Sequence, residues 1–102
     1  MIHAAGQIGL EPATGELAPG GIKGEGVQAM NNVQAIIMAV PGASMSNIFE
    51  CTVLMANFSE YATFNDIYAT YFPKDDPPAR AAYQVAKLPK DALVEVKCSA
   101  AL

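Results

Sequence analysis

The chain has 102 residues, enough for one domain, residues 1–102, and not for two. Apolar residues make up 52% and charged residues only 16%, where about 25% charged is ordinary. A small globule this poor in charge has trouble covering its outside, so a homo-oligomer that buries one face is expected. The net charge is −4, and the six basic residues are scattered from Lys23 to Lys97. That counts against nucleic acid as a partner, since phosphate backbones call for concentrated positive charge. A small anion held by one Arg stays open.

No apolar run is long enough to predict a membrane helix. No charged segment precedes an apolar one as in a secretory signal. A soluble, reducing compartment is expected, the cytoplasm, or the mitochondrion if a leader is missing. Cys51 and Cys98 lie in apolar runs at no zinc or redox spacing, which predicts buried free thiols.

Taken in chain order, 1–10 reads as a strand with a glycine at position 6. Glu11-Pro12-Ala13-Thr14-Gly15-Glu16 carries turn chemistry, and Leu17-Ala18 suits a short return strand. From about Lys23 to Val40, Val27, Met30, Val33, Ile37 and Val40 recur three or four apart, the stripe of an amphipathic helix. Pro41-Gly42 stops it. The glycines from Gly20 to Gly26 fail both the phosphate-loop and the dinucleotide patterns and read as a plain flexible turn.

Residues 49–56 form a continuous apolar, β-prone segment, a buried strand. Asn57 or Ser59 then caps a second helix over about 60–72, with Phe64, Ile67, Tyr68 and Tyr71 on its apolar face. The loop 73–78 is rich in Pro and Asp. Two strands follow, 80–86 and 92–101, joined by Lys87-Leu88-Pro89-Lys90-Asp91. In the last, Val94, Val96, Cys98 and Ala100 share one face and Leu93, Glu95, Lys97 and Ser99 the other. This order gives an α+β fold whose two helices cover one face of the sheet. The face bearing Glu95 is left to water or a partner.

His3, the only histidine, has no nucleophile or orienting group beside it in sequence and reads as non-catalytic. One His with two distant Cys makes no metal site. The methionines and the Tyr68/Tyr71 pair sit at core spacing. Arg80 follows Asp75-Asp76-Pro77-Pro78-Ala79, so pairing with a nearby Asp is the plain reading. Glu95 sits inside the apolar Leu93-Val94-Glu95-Val96, where a desolvated carboxylate needs a partner, though alternation also allows an exposed face beside Lys97 or Lys87. Residue chemistry alone leaves both undecided.

The stretch Pro78-Ala79-Arg80-Ala81-Ala82-Tyr83-Gln84-Val85-Ala86-Lys87-Leu88-Pro89-Lys90-Asp91-Ala92-Leu93-Val94-Glu95-Val96 resembles the signature of the Rid (YjgF-type) family of reactive-intermediate deaminases. Ala5-Gly6-Gln7-Ile8, Pro12-Ala13-Thr14-Gly15-Glu16, Asn32-Val33-Gln34-Ala35-Ile36 and Tyr61-Ala62-Thr63-Phe64-Asn65-Asp66-Ile67-Tyr68 resemble it in the right order. The resemblance implies a chorismate-mutase-like α+β fold with a mixed sheet, a homotrimer and active sites in the clefts between subunits. It implies cofactor-free hydrolysis of 2-iminobutanoate and 2-iminopropanoate to the 2-oxo acid and ammonia. By position, Arg80 binds the substrate carboxylate and Glu95 activates water. Ala5, Gly6 and Ala82 line the pocket, with Asn65 and Tyr61 as further wall residues. The family's first strand, with its Gly-Pro-Tyr motif, has no counterpart in these 102 residues, and Ala5 stands where members commonly carry Ser. Some relatives are described as endoribonucleases or translation inhibitors; that activity and a non-enzymatic, chaperone-like trimer are the alternatives.

Overall fold

The computed structural model describes residues 1–102. Its main elements are β1 (Ile2–Gln7), α1 (Gly21–Met38), β2 (Ile48–Met55), α2 (Tyr61–Ala69), β3 (Ala79–Gln84) and β4 (Val94–Ala100). The strands form one sheet in the order β1-β4-β2-β3. β2 and β3 run parallel, with α2 as the crossover a parallel pair requires. The other pairings are antiparallel. The two strands joined by Lys87–Asp91 are therefore not neighbours, because β2 lies between them. The return strand expected at Leu17-Ala18 reduces to one bridge, Leu10 to Leu17.

Alternation decides which way the sheet faces. Val94, Val96, Cys98 and Ala100 of β4 are buried, as are Cys51, Val53 and Met55 of β2. They pack beneath α1 and α2 in one continuous core with Met30, Val33, Ile37 and Phe64. Glu95 and Lys97 point to the opposite face, which no helix of the chain covers. Neither helix is long and apolar enough to cross a membrane.

The structure also departs from expectation at the glycine-rich stretch, at Val27 and at the cysteines. The glycine-rich stretch is not a flexible turn: Gly21, Gly24 and Gly26 lie inside α1. A Cβ at Gly26 would sit 3.1 Å from the ring of Phe64, so the missing side chain lets α1 settle against α2. The buried stripe of α1 runs through Ile22, Gly26, Met30, Val33 and Ile37. Val27, expected in that stripe, is 42% exposed, because a glycine in register took its place. The cysteines are not free thiols: Cys51 and Cys98 are joined by a disulfide. They are direct partners on β2 and β4, with Cα atoms 4.1 Å apart and both side chains on the core face. Their separation of 47 residues gives no hint of that register.

One buried acid escaped the sequence reading. Glu25 is only 7% exposed, and its carboxylate accepts a hydrogen bond from the Leu93 amide at 2.8 Å. That bond ties α1 to the start of β4 and offsets the cost of burying the charge.

Candidate active site

Arg80 sits near the start of edge strand β3, in register with Cys51, so it emerges on the helix side of the sheet. There it meets α2. One terminal nitrogen donates to Asn65 Oδ1 and the other to the hydroxyl of Tyr61. The guanidinium also lies over two aromatic rings, 4.8 Å from the centroid of Tyr68 and 5.3 Å from that of Tyr61. Helical spacing explains the grouping, since 61, 65 and 68 succeed one another at intervals of four and three. Asn57 does not cap α2 itself: its side chain accepts from the Ser59 amide and caps the short 3-10 turn Phe58–Glu60 that leads into the helix, while Glu60, the residue before α2, makes no side-chain cap.

Every partner of Arg80 is neutral. The pairing with Asp75 or Asp76 that the sequence suggests does not form; the chain's one side-chain ion pair joins Lys87 to Asp91 at the surface. A cavity of about 470 Å³ opens beside the guanidinium, lined by Asn65, Tyr68, Phe72, Lys74 and Pro78 among others. No carboxylate lines it. Burial pushes the Tyr68 phenol up to about 12, and the Arg80 charge opposes that only in part. The core spacing of Tyr68 predicts packing, and the ring is packed in the core; that its face also meets the Arg80 guanidinium is not visible in the spacing. Tyr68 is 4% exposed, and its hydroxyl has no hydrogen-bond partner.

Glu95 belongs to the other face. It is in register with Leu54, one step out of phase with the core-facing residues of β2. It helps to line a cavity of about 230 Å³ together with Thr52, Leu54, Tyr83 and Lys97. Its carboxylate also lies against Gly6. Between Ala4 and Gln7, β1 advances three residues while β4 advances two, from Cys98 to Val96. Such a bulge places an extra residue and re-aims the strand, and Gly6 within it leaves room for the Glu95 carboxylate.

The residues singled out from sequence therefore fall into two groups. Arg80, Asn65 and Tyr61 stand together on the helix side, with Ala82 two residues along the same face of β3. Glu95 and Gly6 stand together on the bare face, and Ala5 lies next to them in the bulge. Within one copy of the chain, the sheet separates the cation from the carboxylate. His3 is also on the bare face, bonded through Nδ1 to the Ser99 hydroxyl at 2.9 Å.

A four-stranded mixed sheet with two helices on one face defines a small α+β protein, with a guanidinium lacking an anionic partner on the helix side and a carboxylate over a glycine bulge on the other. The family model described as endoribonuclease L-PSP matches residues 1–102. The chain belongs to that family, the Rid or YjgF-type family its motifs resemble. It is 44% identical over 99 residues to a 2-iminobutanoate/2-iminopropanoate deaminase of Rattus norvegicus, covering 97% of this chain and 71% of the relative. Among solved structures it is similar to a putative endoribonuclease L-PSP from Entamoeba histolytica, with a TM-score of 0.91 and 40% identity, covering 98% of this chain and 78% of that one. It is also similar to E. coli TdcF with bound serine, with a TM-score of 0.89 and 33% identity, covering 98% and 79%.

Proposed function

We propose that this chain is a cofactor-free deaminase that hydrolyses short 2-imino acids, 2-iminobutanoate and 2-iminopropanoate, to 2-oxo acids and ammonia. The observation that carries the reading is Arg80: a half-buried guanidinium, held in place, with no anion to pair with. Its five N–H donors include three not spent on Asn65 and Tyr61, enough for a two-pronged grip on a carboxylate. The relatives named as imine deaminases and the serine bound by TdcF agree with a small ligand that carries a carboxylate.

In this reading Glu95 takes a proton from water as the oxygen adds to the imine carbon. Protonated Glu95 returns that proton to the imine nitrogen, giving a carbinolamine. Its C–N bond then breaks as the hydroxyl proton is transferred, again by way of Glu95, to the leaving nitrogen, releasing ammonia and the 2-oxo acid and restoring the carboxylate. The imine carbon is already electrophilic, so positioning and one general base supply the chemistry.

Arg80 and Glu95 of one copy face opposite sides of the sheet, so the working site forms between copies. Arg80 of one subunit meets Glu95 and Gly6 of the next, as in a homotrimer with three clefts. The uncovered face that bears Glu95 and Tyr83 supplies surface for that assembly. The test is a coupled assay in which threonine dehydratase generates 2-iminobutanoate and semicarbazide traps it. The protein should lower the trapped fraction in proportion to its concentration. An unchanged fraction at amounts equal to the dehydratase contradicts the proposal; cleavage of RNA in place of imine turnover would favour the endoribonuclease reading.

A further inference from the structure

We propose that Asn65 and Tyr61 are positioning residues whose neutrality is their function: they aim the Arg80 guanidinium while leaving its charge free for the substrate carboxylate. The inference rests on the carboxylate-binding reading above and adds the device that keeps the cation available.

The physical problem is specific. A guanidinium drawn partly out of water is normally stabilised by a carboxylate, which offers it two acceptors and an opposite charge. Such a partner would also compete with any anionic ligand. α2 offers Arg80 an amide oxygen and a phenol oxygen instead. Both accept hydrogen bonds, and neither cancels the charge. The rings of Tyr61 and Tyr68 add attraction for the cation through their faces, again without an anion. The Tyr68 phenol is neutral as well, since burial raises it further from its ordinary 10.0, to about 12. Two aspartates in the loop between α2 and β3, Asp75 and Asp76, and one on α2 itself, Asp66, make no ion pair with Arg80. The bonds to Asn65 and Tyr61 also restrain the long side chain, so less freedom is lost when the ligand arrives.

The decisive comparison is Asn65→Asp against Asn65→Ala. Asp has the shape of Asn and keeps the oxygen that Arg80 bonds, but adds a negative charge. If Asn65 serves only to brace the fold, Asp is the milder change. If neutrality matters, Asp is the harsher one. The probe is 2-oxobutanoate, whose binding is measured by calorimetry on the assembled protein, with KM and kcat from the imine assay alongside. Asn65→Asp should weaken 2-oxobutanoate binding and raise KM by on the order of 10-fold or more, because an internal ion pair now competes with the ligand. Asn65→Ala should weaken both by roughly 3- to 10-fold through loss of aim, with kcat changing less than KM. Tyr61→Phe, which removes one oxygen and keeps the ring, should resemble Asn65→Ala.

Asn65→Asp binding as well as wild type, or better than Asn65→Ala, overturns the proposal. If Asn65→Asp fails to fold, unchanged binding in both Asn65→Ala and Tyr61→Phe overturns it. A wild-type protein that binds 2-oxobutanoate but hydrolyses no imine sinks the deaminase reading alone, since the variants are compared on binding. A wild-type protein that binds no carboxylate overturns both.

Discussion

The carboxylate of Glu95 occupies the space that a side chain at Gly6 would need: a Cβ there would lie 2.8 Å from Glu95 Cδ and 3.2 Å from its Cγ. The clash is with the far end of a flexible side chain, so it is relieved by moving Glu95. Gly6→Ala should therefore leave melting nearly unchanged while displacing the proposed base. A shift of about 1 Å at a reacting group can cost roughly 10²-fold in rate. Thermal melts and imine kinetics on the same preparation check this, and wild-type turnover in a folded variant would show that Glu95 does not need that position.

Gly9 gives the contrasting case. A Cβ there would lie 2.6 Å from the Glu25 carbonyl oxygen and 2.8 Å from its Cα, backbone that cannot swing aside. Gly9→Ala should destabilise by about 1–3 kcal/mol, the usual cost of overpacking. Urea denaturation measures it, and a loss of less than half a kcal/mol would show that α1 yields easily.

The disulfide predicts a covalent result. Under non-reducing denaturing conditions no free thiol should titrate, and the mass should be that of the chain less two hydrogens. Closing a loop of 47 residues stabilises the fold by about 4 kcal/mol in the chain-entropy account, so reduction should lower the denaturation midpoint. Two thiols titrating in the unreduced, unfolded protein would contradict the pairing.

Tyr68 predicts an alkaline limb. Burial raises its folded-state value from 10.0 to about 12, so in that window the unfolded chain has lost a proton that the folded chain still holds. Stability is then full below about pH 10 and falls as pH rises towards 12. Tyr68→Phe should shrink this loss; Tyr71, also raised by burial, keeps part of it. Equal alkaline slopes for wild type and Tyr68→Phe would place the titrating group elsewhere.

Much of the fold is legible in the residues. The alternation of Val94, Val96, Cys98 and Ala100 against Glu95 and Lys97 fixes which face of β4 is core. Pro41-Gly42 and Asn57 mark where helices stop and start. Strand order is not legible, because nothing in Lys87–Asp91 tells whether β4 pairs with β3 or passes beyond β2. The disulfide is hidden for the same reason, since it depends on the register of β2 with β4. At the site, the family signature names Arg80 and Glu95 but not the sheet between them. The neutral grip of Asn65 and Tyr61, and the ring of Tyr68 beneath it, follow from helical phase meeting an edge strand, a tertiary relation that neither segment carries alone.

Substitutions at the two principal residues should separate by kinetic signature. Arg80→Lys exchanges a fork for a point charge and loses at least one charge-assisted bond, lowering kcat/KM by roughly 10- to 150-fold. Glu95→Gln keeps shape and removes the base, lowering kcat by roughly 10²- to 10⁴-fold. Wild-type rates in both would remove these residues from the chemistry.

The most direct test of the central claim, that Arg80 of one copy works with Glu95 of another, is complementation between two inactive variants. Arg80→Ala and Glu95→Gln are unfolded together and refolded as an equal mixture. In a closed ring with head-to-tail contacts, about a quarter of the clefts then join an intact Arg80 to an intact Glu95. The account predicts recovery of about a quarter of wild-type imine hydrolysis, from two proteins that are each nearly inactive alone. A mixture that exchanges subunits yet stays as inactive as its parents would show that the two residues act within one copy, or not together at all.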